Sequence, residues 1–331
     1  MPHTDTPKRI LVVKLSSLGD LFHALPAVHV LKQELGVSVD WVTQTNYVDL
    51  VRCFTDVDRV IGFPRRGFLG QAGPFLRALR RDHYSHVIDL QGLLKSAFVS
   101  RLARADLRIG PSFAREGSRW FYTVVAGEAD KERHAVEEAL DVVRYLGLRE
   151  HQPAFPVRFP RKALDEPRPR VALIPRSRWA TKNWPAENFV AVARGLQDKA
   201  GATVFLVGGP DDTDVCGEIE ARLAGRVVNA CGRTSLVELG SLLQEMDLVV
   251  SVDSGPMHMA AAVGRPVLAV FGATDPKRTG PYGPAHRVIL ARKLDCWPCF
   301  SESCPRNDLA CLLGAGPEEV LRVVMEMLGR A

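Results

Sequence analysis

Short apolar segments rich in β-branched residues alternate along the chain with longer segments in which apolar residues recur at helical spacing. In the first half this pattern predicts strands at residues 9–14, 37–43 and 86–90, and helices at residues 20–35, 93–102 and 131–146. Residues 157–170 are rich in proline and charge and carry no period. We therefore predict that they link two domains.

The alternation restarts after residue 170. In the second half, strands are predicted at residues 171–174, 203–207, 227–229, 248–252 and 267–271, and helices at 186–197, 212–223, 236–244, 257–263 and 317–328. Because strands that alternate with helices pair in parallel, each half predicts a parallel sheet with helices on both faces.

These patterns predict an α/β fold of two Rossmann-like domains, residues 1–160 and 161–331, whose sheets face a central cleft. Ligands of such sheets bind beyond the carboxyl ends of the strands. The last predicted helix could pack back on the first domain.

The composition is that of an ordinary globular protein. Of 331 residues, 46% are hydrophobic and 24% are charged, which suffices for two cores. The formal net charge of +5 is a mild excess. The arginines of the first half are not gathered in a stripe with aromatic residues, so we expect no nucleic-acid partner. They indicate solvated helix faces, or a surface that meets phosphates, acidic sugars or an anionic membrane.

Nothing in the sequence predicts a membrane span. No apolar segment approaches the length that crosses a bilayer, and the polar residues 1–9 predict no signal peptide. The seven cysteines cannot all pair, and cytosolic cysteines are normally reduced. We expect a cytoplasmic protein that touches a membrane at most peripherally.

The segment KLSSLGD, residues 14–20, lies between the first predicted strand and helix. It matches neither the phosphate loop of nucleoside triphosphatases nor the three-glycine turn of dinucleotide-binding proteins, which argues against an NTPase and a dehydrogenase. Asp20 stands at the predicted helix start. Aspartate there most often caps the helix. The alternative is a carboxylate at the edge of the sheet that acts as a general base.

A second strand-to-helix junction, SVDSGPMH, spans residues 251–258. Asp253, Ser254 and Gly255 lie where the helix begins, and backbone N–H groups at such a position favour an anion such as a diphosphate. His258 lies one turn into the helix. It either faces the same site or is an ordinary helix histidine with a bonded ring.

Two further loops could meet the same ligand. In PRSRWATKNWP, residues 175–185, Lys182 is either a phosphate contact or part of an exposed basic loop. In FGATDP, residues 271–276, Thr274 either contacts a donor sugar or phosphate or belongs to a simple turn.

Four of the cysteines form a cluster at positions 296, 299, 304 and 311. A C-x2-C pair with two later cysteines could hold zinc or an iron–sulfur cluster. The spacings do not match a standard zinc ribbon, and we assign no metal.

Taken together and in this order, the segments resemble the lipopolysaccharide heptosyltransferases of glycosyltransferase family 9. The resemblance rests on VVKLSSLGDLFHALPA (residues 12–27), TKNWP (181–185), VDSGPMHMAAAVGRPVLAVFGATDP (252–276) and the cysteine-rich stretch 296–311. DLQGLLKSA (89–97), FAREGSRWFY (113–122) and HAVEEAL (134–140) are most similar to heptosyltransferase I of that family.

The resemblance implies the GT-B fold and an inverting glycosyltransferase that needs no metal or other cofactor. The implied donor is ADP-L-glycero-D-manno-heptose, and the acceptor is the Kdo region of a Kdo–lipid A inner core, reached at the cytoplasmic face of the inner membrane. Asp20 would be the general base and Lys182 the diphosphate contact. The other implied donor residues are Asp253, Ser254, Gly255, His258 and Thr274. The implied acceptor residues are Lys14, Arg65, Arg66, Lys95, Arg115 and His134.

Two residues depart from the family pattern. Ser254 stands where threonine is common, which keeps the hydroxyl, and Ala310 stands where a histidine often precedes the last cysteine. The second change weakens any shared metal role of the cysteines, and both leave the identity of the acceptor open.

Three other functions are weighed against this one. A family 9 enzyme could act on another acceptor, such as the heptose II position or a protein hydroxyl. A nucleotide-sugar epimerase would need acid and base residues on both faces of the sugar, and the sequence offers one convincing base. A non-catalytic nucleotide-sugar-binding protein would have no need for Asp20 beside a donor loop.

Overall fold

The computed structural model describes residues 9–65, 67–130, 132–290 and 293–330. The chain divides into two compact units, residues 1–158 and 159–331. At the end of the first unit, Val157 forms an isolated antiparallel bridge with Phe54.

The first unit holds six strands and six α-helices in its described residues. The strands are β1 (Arg9–Val13), β2 (Ser38–Gln44), β3 (Arg59–Phe63), β4 (Tyr84–Asp89), β5 (Ala105–Pro111) and β6 (Val124–Ala126). The helices are α1 (Leu18–His23), α2 (Leu25–Leu35), α3 (Val48–Val51), α4 (Phe68–Leu79), α5 (Leu94–Leu102) and α6 (Ala135–Tyr145).

The second unit repeats this composition with one more helix among its described residues. Its strands are β7 (Arg170–Ile174), β8 (Thr203–Leu206), β9 (Val227–Asn229), β10 (Leu248–Val252), β11 (Val267–Phe271) and β12 (Arg287–Leu290). Its helices are α7 (Ala186–Ala200), α8 (Thr213–Ala221), α9 (Leu236–Leu243), α10 (Gly255–Ala262), α11 (Pro276–Thr279), α12 (Ala310–Leu313) and α13 (Pro317–Met327).

Both sheets have the same strand order. The first runs β3-β2-β1-β4-β5-β6 and the second β9-β8-β7-β10-β11-β12, with neighbouring strands parallel. The order therefore reverses between β1 and β4 in the first sheet and between β7 and β10 in the second. This is the doubly wound order of Rossmann folds. The predicted α/β fold of two Rossmann-like domains is confirmed.

Two helix predictions of the first unit need correction. The helix predicted at residues 20–35 is two helices that meet at Ala24, because Pro26 starts a new helix in its first turn. The helix predicted from residue 131 begins at Ala135, because the side chain of His134 caps it. Residue 131 itself lies outside the described residues.

The sequence pattern missed β3, α3, α4, β5 and β6 in the first unit. The interior of α4 contains Pro74, whose missing N–H argues against a helix there, although the apolar residues of the segment recur at helical spacing. Strand β6 has three residues, too few to show an alternation.

The first sheet buries both of its faces. Leu11 and Val13 of β1 join a core cluster with Phe75 of α4 and Val99 of α5. Side chains of a strand alternate between faces, so the neighbouring residues of β1 point to the opposite face. Helices α2 and α6, which are absent from that cluster, pack against each other.

One carboxylate lies entirely inside the first unit. Asp40 accepts hydrogen bonds from Arg9 at 2.6 Å, from Nε of Arg59 at 2.9 Å and from the Tyr84 hydroxyl at 2.8 Å. Burial and the adjacent Asp40 raise the pKa of Tyr84. A buried charge is tolerable when paired and hydrogen-bonded in this way.

The second unit packs α7 closely against α13. A Cβ on Gly195 of α7 would lie 2.2 Å from Cδ2 of Leu321, so glycine permits the close approach of the two helices. Val320 and Val324 of α13 are fully buried in the core of this unit. None of the described helices has both the length and the apolar character needed to cross a membrane.

We expect Trp184→Ala to lower the free energy of unfolding by about 3–5 kcal/mol, because it removes a large buried aromatic side chain. Trp184 is 2% exposed, packs edge-on against Phe189 and donates from Nε1 to the carbonyl oxygen of Ala315 at 3.0 Å. Urea unfolding measures the change. Trp184→Phe keeps most of the packing, so its free energy of unfolding should fall by less than that of Trp184→Ala. An equal fall in both variants would contradict the packing argument.

Candidate active site

The turn after β1 holds the first candidate residues. Lys14 is buried, and its Nζ donates a hydrogen bond to the carbonyl oxygen of Leu90 at 2.6 Å. Leu90 directly follows β4, the neighbour of β1 in the sheet. The ammonium group of Lys14 acts on the charge of Asp20, which lies in the first turn of α1.

Asp20 is the third residue of α1. Its Oδ2 accepts hydrogen bonds from the backbone N–H and from the hydroxyl of Ser17, both at 2.8 Å, as in a capping box. Its Oδ1 lies 3.8 Å from Nδ1 of His23. Since 39% of the side chain is exposed, the capping bond leaves the carboxylate open to solvent.

The pKa of the Asp20 carboxyl lies below its ordinary value of 3.8. Partial removal of the carboxyl from water is the largest single influence and raises the pKa, but the charge of Lys14, the interaction with His23 and the N–H of Ser17 together outweigh it. Asp20 is therefore ionised near neutral pH.

A pair of histidines adjoins this carboxylate through His23. The ring of His23 packs edge-on against that of His134, with the centroids 5.4 Å apart. Nδ1 of His134 accepts a hydrogen bond from the N–H of Val136 at 3.1 Å, which places the proton of the neutral ring on Nε2. His134 thus joins the group of Lys14 and Asp20. His23 was missed, although its spacing of three residues from Asp20 puts both on one helix face.

The turn after β4 holds the turn after β1 in place. Oε1 of Gln91 accepts hydrogen bonds from the N–H groups of Leu15 and Ser16, at 3.1 and 3.0 Å. Asp89 in turn accepts from the N–H of Gln91 at 2.8 Å and from the hydroxyl of Tyr122 at 2.8 Å. The sequence analysis quoted this segment but assigned no role to Asp89 or Gln91, because their contact with the first turn depends on β4 lying beside β1.

Asp89 differs from Asp20 in its surroundings. It is buried, and burial raises the pKa of its carboxyl, although the hydrogen bonds from Tyr122 and the Gly92 and Gln91 N–H groups work in the other direction. Asp89 is thus a structural acceptor.

The remaining predicted acceptor residues are not joined to this group by any bond in the described part of the chain. Arg65 is exposed in the loop before α4, and Arg66 lies outside the described residues. Lys95 is exposed on α5. Arg115 is exposed in a loop whose backbone N–H bonds the Gly92 carbonyl at 2.8 Å.

The second unit brings together three predicted donor residues, the carboxylate of Asp253 and two side chains bonded to it. Oδ2 of Asp253 lies 2.7 Å from Nζ of Lys182 and accepts a hydrogen bond from the hydroxyl of Thr274 at 2.6 Å. These residues follow β7, β10 and β11, three adjacent strands. Lys182 also lies over the ring of Trp179, 4.5 Å from its centroid. The lysine is therefore held in place on two sides.

The start of α10 lies directly beside this cluster. Ser254 is the N-cap, and its hydroxyl accepts a hydrogen bond from the N–H of Met257 at 3.4 Å. Gly255 is the first residue of the helix, and His258 is buried in its first turns. The positive end of the helix dipole therefore adjoins the ammonium of Lys182, an arrangement suited to an anion.

The four clustered cysteines line one small cavity together with Thr181 and Ala273. All of them are free thiols. Over the described ranges, no group of three or more His, Cys, Asp or Glu side chains is arranged to hold a metal ion. The cavity adjoins the loop of Lys182, since the hydroxyl of Thr181 bonds the carbonyl of Ser301 at 2.6 Å.

Comparison with known proteins shows the family to which the chain belongs. The model of glycosyltransferase family 9 (heptosyltransferase) matches residues 73–310. The chain belongs to glycosyltransferase family 9. It is accordingly a glycosyltransferase, as the sequence analysis predicted.

Relatives of this family 9 enzyme align over most of its length. Lipopolysaccharide heptosyltransferase 1 of Pseudomonas aeruginosa is 30% identical over 320 residues, 89% of this chain and 87% of the relative. The enzyme of the same name from Salmonella typhimurium is 31% identical and covers 83% of this chain and 92% of the relative.

Solved structures match the whole fold. Escherichia coli heptosyltransferase WaaC with ADP has a TM-score of 0.79 at 28% identity, covering 96% of this chain and 99% of that one. A glycosyl transferase family 9 structure from Veillonella parvula has a TM-score of 0.85 at 20% identity, covering 98% of both chains, and supports the fold alone. The family 9 enzyme therefore has the GT-B fold that was predicted.

We expect Gln91→Ala to lower the free energy of unfolding by about 1–3 kcal/mol, because two N–H groups lose their acceptor. The turn after β1 should loosen, and the amide hydrogens of Leu15 and Ser16 should exchange faster with deuterium. Gln91→Glu retains an acceptor oxygen and should restore slow exchange. Unchanged exchange in the alanine variant would show that Gln91 does not hold the turn.

The lowered pKa of Asp20 predicts how stability depends on pH. A carboxylate whose folded-state pKa is depressed stabilises the protein above its ordinary pKa, and that contribution is lost as the pH falls through the folded-state pKa. The stability difference between the wild type and Asp20→Asn should therefore shrink as the pH is lowered below 3.8. Urea unfolding at neutral and acidic pH measures it; a difference that grows on acidification would refute the assignment.

Proposed function

We propose that this family 9 enzyme transfers heptose, with inversion, from ADP-L-glycero-D-manno-heptose to the Kdo region of the lipopolysaccharide inner core. Its relatives include lipopolysaccharide heptosyltransferase 1 of Pseudomonas aeruginosa, Escherichia coli and Salmonella typhimurium. The related E. coli heptosyltransferase WaaC has been solved with ADP and with ADP-2-deoxy-2-fluoro heptose. The first unit would bind the acceptor and the second the donor.

The observation that carries the proposal is the ionised carboxylate of Asp20, held by Ser17 and acted on by Lys14. Inverting transfer needs one base that takes the proton of the acceptor hydroxyl. Because the lowered pKa makes Asp20 a weak base, it would accept the proton as the new bond to the anomeric carbon forms, not before. The exposed side chain can then release the proton to water.

Lys182 and the start of α10 support departure of the diphosphate. Negative charge grows on the leaving ADP as the glycosidic bond breaks, and an ammonium group and a helix N-terminus both stabilise it. Asp253 and Thr274 would fix Lys182 in position through the bonds at 2.7 and 2.6 Å. We assign Ser254, Gly255 and His258 to the same donor site, without a metal or other cofactor.

Positive residues of the first unit suit an acidic acceptor. Kdo carries a carboxylate and lipid A carries phosphates, which basic side chains bind well. We assign Lys14, Arg65, Arg66, Lys95, Arg115 and His134 to acceptor binding. An acceptor anchored in the inner membrane would keep a cytoplasmic enzyme at that surface through peripheral contact.

The transfer assay combines purified protein, ADP-heptose and Kdo2–lipid A in the presence of EDTA. We expect ADP release and a heptosylated product, and a kcat roughly 100- to 10,000-fold lower in Asp20→Asn, because general-base catalysis contributes about that much. ADP affinity, measured by calorimetry, should stay unchanged in the variant.

Asp49→Asn is the matched control, because Asp49 is an exposed aspartate of α3 whose ion pair with Arg52 lies at the surface. It should retain full activity. Loss of ADP binding or of folding in Asp20→Asn would reduce Asp20 to a helix cap. Donor binding without product from folded wild-type protein would indicate a different acceptor.

A further inference from the structure

One side of α5 and the segment beside it expose large apolar side chains to solvent. Trp120 is 90% exposed, Phe98 49% and Leu94 45%. Leu94 and Phe98 lie four residues apart on α5 and therefore share one helix face. The other side of the helix is buried, since Val99 belongs to the core. These three side chains thus do not support the fold of the unit.

The segment that carries Trp120 is fixed alongside α5. The buried hydroxyl of Ser118 donates to the carbonyl oxygen of Gly92 at 3.0 Å, and the N–H of Arg115 donates to the same oxygen at 2.8 Å. The carboxylate of Glu116 accepts from the N–H of Leu94 at 3.2 Å. Hydrogen bonds therefore hold in place the backbone segment that carries the exposed indole of Trp120.

Exposed basic residues lie near these apolar side chains in the chain. Lys95 follows Leu94 on the helix, Arg119 directly precedes the exposed tryptophan, and Arg115 lies five residues before it. None of them forms an ion pair with a carboxylate in the described part of the chain. The nearby carboxylate of Glu116 is bound to a backbone N–H. We call this surface, formed by Leu94, Lys95, Phe98, Arg115, Arg119 and Trp120, the α5 face.

We propose that the α5 face docks the enzyme on the surface of an anionic phospholipid bilayer. Tryptophan favours the interface between headgroups and acyl chains, and apolar neighbours add buried area. Arginine and lysine are attracted to anionic headgroups, each by about 1 kcal/mol. The α5 face combines both features.

A second copy of the chain is a poorer occupant. A twofold interface brings the same surface of both copies together. The unpaired cations of the α5 face on one copy would then face the same cations on the other copy and repel them. The carboxylate of Glu116 already accepts a hydrogen bond from the N–H of Leu94. A lipid surface supplies many anionic headgroups, whereas a second copy would bring its own cations together with this carboxylate.

The inference deepens the proposed function, because an acceptor held in a membrane requires the enzyme to work at that surface. Its test uses no donor or acceptor. Failure of vesicle binding would overturn the docking surface alone, while failure of transfer in solution would overturn the proposed function alone.

The test is co-sedimentation of the full chain with large vesicles of phosphatidylcholine, with and without phosphatidylglycerol. We expect binding to the anionic vesicles that weakens with added salt. Trp120→Ala should lower the partition coefficient about tenfold, the loss expected for a large apolar side chain leaving the interface. Arg119→Gln should lower it about fivefold on anionic vesicles only.

Tyr145→Ala is the matched control. Tyr145 is 47% exposed on α6. This helix packs against α2, and none of its residues belongs to the core cluster that contains Val99 of α5. It should bind like the wild type. No binding of the wild type to anionic vesicles, or equal loss in the Tyr145 and Trp120 variants, would overturn the proposal. So would a dimer, seen by ultracentrifugation, that Trp120→Ala dissolves without any effect on vesicle binding.

Discussion

The reversal of strand order in each sheet is the constraint on which the candidate residues of each unit depend. At that point the connections that follow two adjacent parallel strands lead to opposite sides of the sheet, and the turns at the ends of these strands lie next to each other. In the first unit this joins the turn of Lys14 and Asp20 to Gln91 after β4. In the second it joins the loop of Lys182 to Asp253 after β10.

Each unit has a largely buried lysine at this point. Its ammonium charge is removed from water, and this loss of hydration must be offset by a hydrogen-bonded or charged partner. Lys14 bonds a backbone carbonyl and lies in the field of Asp20, while Lys182 pairs with Asp253 and packs on an aromatic ring. Such pairs hold charged groups in fixed positions before any ligand arrives, which limits the reorganisation that a polar reaction demands.

The segment after β4 serves both the chemistry and the surface. Asp89 and Gln91 hold the turn of the proposed base, and the helix that follows presents Leu94 and Phe98 to solvent. A surface that meets lipid and a site that meets a lipid-linked sugar would therefore be connected through one short, well-bonded stretch of chain.

The sequence by itself determined the two-domain α/β architecture and the position of most strands. Strands β9, β10 and β11 were predicted at their observed bounds, because their short apolar runs are bordered by clear turns. It also determined the candidate residues at the strand ends. It missed α4, whose internal proline argues against a helix. Only the tertiary structure decided which side chains meet: Gln91 with residues 15 and 16, His23 with His134, and Lys182 with Asp253. These contacts join residues far apart in the chain, and strand order, which no local pattern encodes, brings them together.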